Sequence, residues 1–74
     1  MSQDKPHFVE TPGFNTVGWE VAIPSIGNGA RIWINHQGTI GADGVPFSGH
    51  TPETACDIAD AFRMAAKRLQ DERP

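Results

Sequence analysis

One cysteine, Cys56, is the entire thiol content of this 74-residue chain. An internal disulfide is therefore excluded, and a single thiol fits a reducing compartment. Basic residues are scarce as well. Six Lys plus Arg stand against nine Asp plus Glu, for a formal net charge of −3. A nucleic-acid binder more often gathers a basic excess on one face. This chain has neither an excess nor a basic run, which disfavours nucleic acid as a partner. No stretch approaches the roughly 18 apolar residues that cross a bilayer. The opening "MSQDKPHFVETPG" has an early acid, two prolines and no apolar core of a secretory signal. The expectation is a cytoplasmic protein with no membrane partner. Paired C-x₂-C or H-x₃-H ligands are also missing: His7, His36, His50 and Cys56 lie scattered, whereas structural zinc takes ligands in close pairs. The glycine-rich "IGNGA" and "GTIGADG" do not have the phosphate-loop arrangement leading into a helix. No metal and no cofactor are expected.

What is present suits one small domain. A chain this short buries only about 60% of its unfolded surface, so its stability margin is thin. Small scaffolds usually add a disulfide, a metal or a second subunit. With the first excluded, a self-associating surface, and so a homodimer, is expected. Residues 1–15 read as an N-terminal arm broken by Pro6, Pro12 and Gly13. It either lacks regular structure or contributes an edge strand from "HFVET". Residues 16–74 read as a single α+β domain.

Two alternating segments open that domain. Val17, Trp19, Val21 and Ile23 share one face, and Ile32 and Ile34 share one face of "ARIWINH". Period 2 argues for half-buried strands. Asn28-Gly29 between them is a type I′ hairpin signal, because both turn positions favour positive φ. A loop at Asn28-Gly29 sets Ile23 opposite Ile34. A loop at Gly27-Asn28 sets Ile23 opposite Ile32. Both keep the apolar sets together, whereas a one-residue slip would send one set to solvent. "HQG" reads as a second turn and "TIGA" as a third strand. "VPF", after Asp43-Gly44, is the candidate fourth strand, with Phe47 on the side of Ile40. Pro46 confines it to an edge.

The helix is the clearest element. Thr51 suits the N-cap, Pro52 the first helical position, and Glu53 the positive end of the dipole. Ala55, Ile58, Ala59, Phe62, Ala65, Ala66 and Leu69 make one stripe about 120° wide. Lys67, Arg68 and Arg73 sit near the negative end. The expected architecture is a three- or four-stranded antiparallel meander with one C-terminal helix packed on one face.

Few constellations suggest chemistry. Cys56 lies one turn into the helix, where the dipole's effect on a thiol has faded. His50 precedes the cap and would have to fold back to reach it. Cys56 is expected to be a partly buried small residue on the helix flank, and no catalytic residue is assigned. The face of the sheet turned from the helix is more informative. It presents Arg31, Trp33 and Asn35 in a row, and Trp and Arg are enriched in binding hot spots. Alternatively, Phe8, Val9 or Phe14 folds over Trp33, or the face pairs with a second copy. Met64 falls about 160° from the stripe centre, on the helix back, where it could centre a polar-rimmed contact. Arg31, Trp33, Asn35 and Met64 are the candidate interaction residues.

Two resemblances touch these positions. The segment "TPETACDIADAFRMAAKRL" after a hairpin resembles small uncharacterised proteins of high-GC bacteria and their phages, whose last helix reads "TPE-A--lA-A---AA--L". That likeness covers residues 30–70 and implies no activity. Three strands before a helix with this opening also resemble the plant AP2-type and integrase arm-binding domains. Those read DNA with Arg and Trp on an open sheet face, and the likeness implies DNA contact by Arg31, Trp33 and Arg63. Glu20 on that face and the acidic balance depart from the pattern, since phosphate neutralisation supplies much of DNA affinity. The leading expectation is a non-enzymatic protein–protein interaction module, of regulatory or accessory kind, working through the sheet face around Trp33. A nucleic-acid-binding domain using the same face is second. A thiol or metal-dependent enzyme is third.

Overall fold

The structure is a computed structural model and describes residues 5–12, 17–27 and 29–72. Four strands, β1 (His7–Glu10), β2 (Trp19–Ala22), β3 (Arg31–Ile34) and β4 (Ile40–Asp43), precede α1 (Pro52–Glu72). The strands form one antiparallel sheet in the order β1-β2-β3-β4, and α1 packs on one face. This is the α+β meander that the alternation predicts. The N-terminal arm contributes the fourth strand: His7–Glu10 pair with Ala22–Trp19. The "VPF" segment is not a strand. Gly44 at φ 73° turns the chain away, and Pro46 has no N–H to offer a ladder. Phe47 is fully exposed instead of facing Ile40's side.

The β2–β3 register also differs from both readings of the hairpin. Val21 opposes Ile32, and Ala22 opposes Arg31. The connection is two successive turns: Ile26 N–H bonds to Ile23 C=O, and Ala30 N–H bonds to Gly27 C=O. Pro24 follows Ile23 directly, and its fixed φ suits the second position of a turn. The ladder therefore ends before Asn28-Gly29 is reached. Asn28 itself lies outside the described residues. The shift amounts to an even number of positions, so every side chain keeps its predicted face.

One face is thus apolar across β2 and β3, with the exposed Glu10 at its β1 margin. Trp19, Val21, Ile23, Ile32 and Ile34 are buried beneath α1 with Ala30, Ala61 and Ala65. The helix begins as its caps dictate. Thr51 Oγ1 accepts the Thr54 N–H at 3.2 Å, and Thr51 C=O accepts the Ala55 N–H at 2.9 Å. Its last turn carries no base among the described residues. Lys67 and Arg68 pair instead with Asp71 and Glu72, four residues on. Arg73 lies outside the described residues.

The buried stripe of α1 is not the predicted one. Ala61 and Ala65 are the fully buried helical residues, flanked by Ile58, Met64 and Leu69. Ala55, Ala59 and Phe62 are exposed. The contact face is rotated roughly 70° from the centre of the predicted stripe. Alanine at the centre lets the helix axis approach the sheet, and the longer side chains fill the grooves on either side. Met64 is accordingly packed against the core, not placed on the helix back.

Candidate interaction surface

The sheet face opposite α1 is built from His7 and Val9 of β1, Glu20 and Ala22 of β2, Arg31 and Trp33 of β3, and Gly41 and Asp43 of β4. The register sets His7, Ala22, Arg31 and Asp43 in one row across all four strands. Trp33 stands directly opposite Gly41. Its six-membered ring lies on the glycine: a Cβ at Gly41 would meet Trp33 Cζ2 at 2.7 Å and Cη2 at 2.8 Å. The absence of a side chain at 41 is what allows the indole to lie flat on the neighbouring strand, half-buried on the face that the helix leaves open. Beside it, Arg31 donates from Nη1 to Glu20 Oε1 at 3.3 Å. The Glu20 side chain is only 16% exposed, so it is a partner of Arg31 and not a freely solvated acid.

Phe8 does not fold over Trp33. It pairs with Val21 on the helix side and meets Trp19 edge-to-face, with ring centroids 5.4 Å apart. Val9 lies on the open face, but in the edge strand beyond β2. Phe14 lies outside the described residues. The two tryptophans therefore do different work: Trp19 is core, and Trp33 is an open-face residue.

The other candidates separate from this pair. The Asn35 side chain is used by the β3–β4 turn. Its Oδ1 accepts N–H groups from Gln37 at 2.9 Å and Thr39 at 3.0 Å, and its Nδ2 donates to Thr39 Oγ1. Asn35 shapes the hairpin, and His36 sits exposed in that turn. Met64, across the molecule, lines a shallow hollow of about 320 Å³ with Phe8, Lys67, Arg68 and Asp71. Arg63 is on exposed helix surface, bonded to Asp60 at 2.9 Å, away from the sheet's open face. Arg31 and Trp33 are thus the members of the predicted set that the fold brings together.

The thiol and imidazole are held apart. Cys56 is exposed, not partly buried, because the rotation of α1 turns it to solvent. His50 Nε2 lies 2.7 Å from Pro46 C=O, and Nδ1 lies 3.5 Å from Thr54 Oγ1. That ring ties the 44–50 loop to the helix start. Among the described residues, no three His, Cys, Asp or Glu side chains converge on a position that could hold a metal ion. No helix among them is long and apolar enough to cross a membrane.

One cluster escaped the sequence reading. Arg68 lies over the rings of both Phe8, at 4.7 Å, and Trp19, at 4.8 Å. Glu72 accepts from Trp19 Nε1 at 3.1 Å and from Arg68 Nε at 3.0 Å. Their i, i+4 spacing was visible, but the tryptophan 53 positions away was not. The Trp19 hydrogen bond, then the Arg68 bond and charge, hold the Glu72 carboxyl below its ordinary pKa. A carboxyl lowered on folding stabilises the fold above the unfolded pKa of about 4.3, and that contribution is lost as pH falls through the folded value. Acidification below about pH 4 should therefore weaken this end of the helix. Followed by Trp19 fluorescence, the acid transition should flatten in Glu72→Gln. An acid profile unchanged by that substitution would contradict the assignment.

No known protein family, no curated protein and no solved structure matches this chain.

Proposed function

We propose that the protein is a small interaction module, without catalytic chemistry of its own, that docks a protein partner on the open sheet face around Trp33. The observation that supports this reading is the Trp33 indole, lying flat on Gly41 on a face that α1 does not cover. A rigid aromatic plate beside a braced Arg31–Glu20 pair has the character of an interface anchor: apolar area at low entropic cost, with a polar rim. The same pair weighs against a nucleic-acid reading. Arg31 is already engaged by a carboxylate, and Asp43 stands opposite it, so the face offers little to phosphate.

Affinity capture with the wild type beside Trp33→Ala tests the reading. A captured protein should be lost with Trp33→Ala, with affinity falling by about 2 kcal/mol or more, roughly 30-fold. Circular dichroism should be unchanged. Gly41→Ala, which pushes the indole off its seat, should weaken capture and shift the Trp33 indole NMR signal while leaving Trp19 in place. Equal capture by wild type and Trp33→Ala defeats the proposal. DNA retardation at moderate salt, abolished by Arg31→Glu, would favour the second reading.

A further inference from the structure

The sheet has two edges, and they are not alike. β1 is flanked by Pro6 and Pro12, and its Phe8 is pinned by Trp19 and Arg68. Flanking prolines are a common way to blunt an edge. β4 carries neither proline nor lysine. The Asn35 N–H bonds to Thr39 C=O, and Trp33 faces Gly41. In an antiparallel ladder this phase turns the N–H and C=O of Gly41 and Asp43 toward β3. Those of Ile40 and Ala42 point away from it, and among the described residues no bond beyond the ladder takes them up. Two residues' backbone groups are thus presented along the β4 edge.

Apolar surface lies over the same edge. Asp57 bonds to Ser25 in the β2–β3 connection at 2.6 Å, and Arg68 lies on Phe8 of β1. These contacts fix which flank of α1 faces β1. Phe62 is on the opposite flank, toward β4, and is 37% exposed. Ala42, on the helix side of β4, is exposed too. The β4 side therefore combines an unpaired strand edge with an uncovered phenylalanine above it.

We propose that a second copy of this chain pairs with that edge, β4 against β4 in antiparallel orientation, to make one continuous sheet. The edge is complementary to itself. A two-fold axis through Gly41, perpendicular to the sheet, sets Ile40 opposite Ala42 of the second copy and Ala42 opposite its Ile40. Each pair exchanges two N–H···O bonds. The one charge on the strand, Asp43, comes opposite Thr39 of the second copy, so no like charges meet. Both helices lie on the same side of the joined sheet, antiparallel, and their Phe62 flanks face each other above the seam. The contact brings the two Trp33 indoles, each lying on its own Gly41, near each other on the reverse side of the seam, and leaves Arg31 and Glu20 on strands it does not touch. It also supplies the subunit contact that a short chain without a disulfide needs.

Sedimentation and amide exchange on the full chain test the proposal. The wild type should sediment as two chains at high micromolar concentration. Ala42→Pro removes an edge N–H without touching the β3 ladder, and Phe62→Glu charges the flank; each should give one chain with unchanged helical dichroism. A wild-type mass of one chain overturns the proposal. So does a dimer that survives both edge variants. Should Ala42→Pro fail to fold, exchange in the wild type decides. The Ile40 and Ala42 amides should be protected at high concentration and exchange rapidly on dilution. Rapid exchange at every concentration refutes the pairing.

Discussion

Replacing Ile32 by alanine should come close to unfolding the protein. Ile32 has no exposed surface and sits on a central strand under the helix, with Val21 opposite it on β2 and Ala42 on β4. Truncating a buried isoleucine to alanine costs about 2–5 kcal/mol, the transfer term plus the cavity left behind. Total stabilities of small domains are about 5–15 kcal/mol, and a chain of this length sits at the low end. Collapse cannot relieve the cavity easily. The backbone around it is fixed by ladders on both sides, and Ala61 and Ala65 of α1 have no side-chain length to move into the gap. Urea unfolding followed by circular dichroism should show a large fall in midpoint with little change in slope. A loss under about 1 kcal/mol, below the usual range for such truncations, would mean that the layer above β3 is not closely packed.

The second large effect comes from adding atoms. Ala61→Leu should destabilise by about 1–3 kcal/mol, as overpacking of a closed core does. Ala61 is fully buried in the core cluster shared by the helix and the sheet. Ala59→Leu, two positions earlier on the exposed flank, should change stability by no more than about 0.5 kcal/mol. The two substitutions are chemically identical, so their difference reports the rotation of α1 about its own axis. The stripe predicted from hydrophobicity alone includes Ala59 and omits Ala61, and therefore demands the opposite order. Thermal midpoints of the two variants beside the wild type settle which alanine is inside.

That contrast shows where the sequence was legible. Strand faces were readable because side chains alternate strictly: Trp19, Val21, Ile23, Ile32 and Ile34 fell on one side and Arg31 and Trp33 on the other, whichever register held. The helix start was readable because Thr51, Pro52 and Glu53 act through local backbone chemistry. The rotation of α1 was not readable. Alanine is small enough to suit either the closest contact or open surface, so the apolar positions of the stripe did not say which of them faced the sheet. Phe62 drew the predicted stripe toward itself, yet the fold leaves it at the margin.

The candidate site divides in the same way. Trp33 and Arg31 on a face without the helix followed from period 2. The seat of the indole on Gly41 did not, because it depends on the β3–β4 register, and neither did the engagement of Arg31 by Glu20. Asn35 looked like a third surface residue until the turn geometry claimed both ends of its amide. By itself the sequence determined the two central strands, the short strand after them, the helix and which face of the central strands is apolar, since these follow from neighbours a few positions apart; it left β1 open and misplaced a strand on "VPF". Only the tertiary structure decided which helix flank is buried, which edge of the sheet is left unpaired, and which distant side chains meet. Those outcomes depend on packing between distant segments, Phe8 with Arg68 and Trp19 with Glu72 among them, where local pattern carries no information.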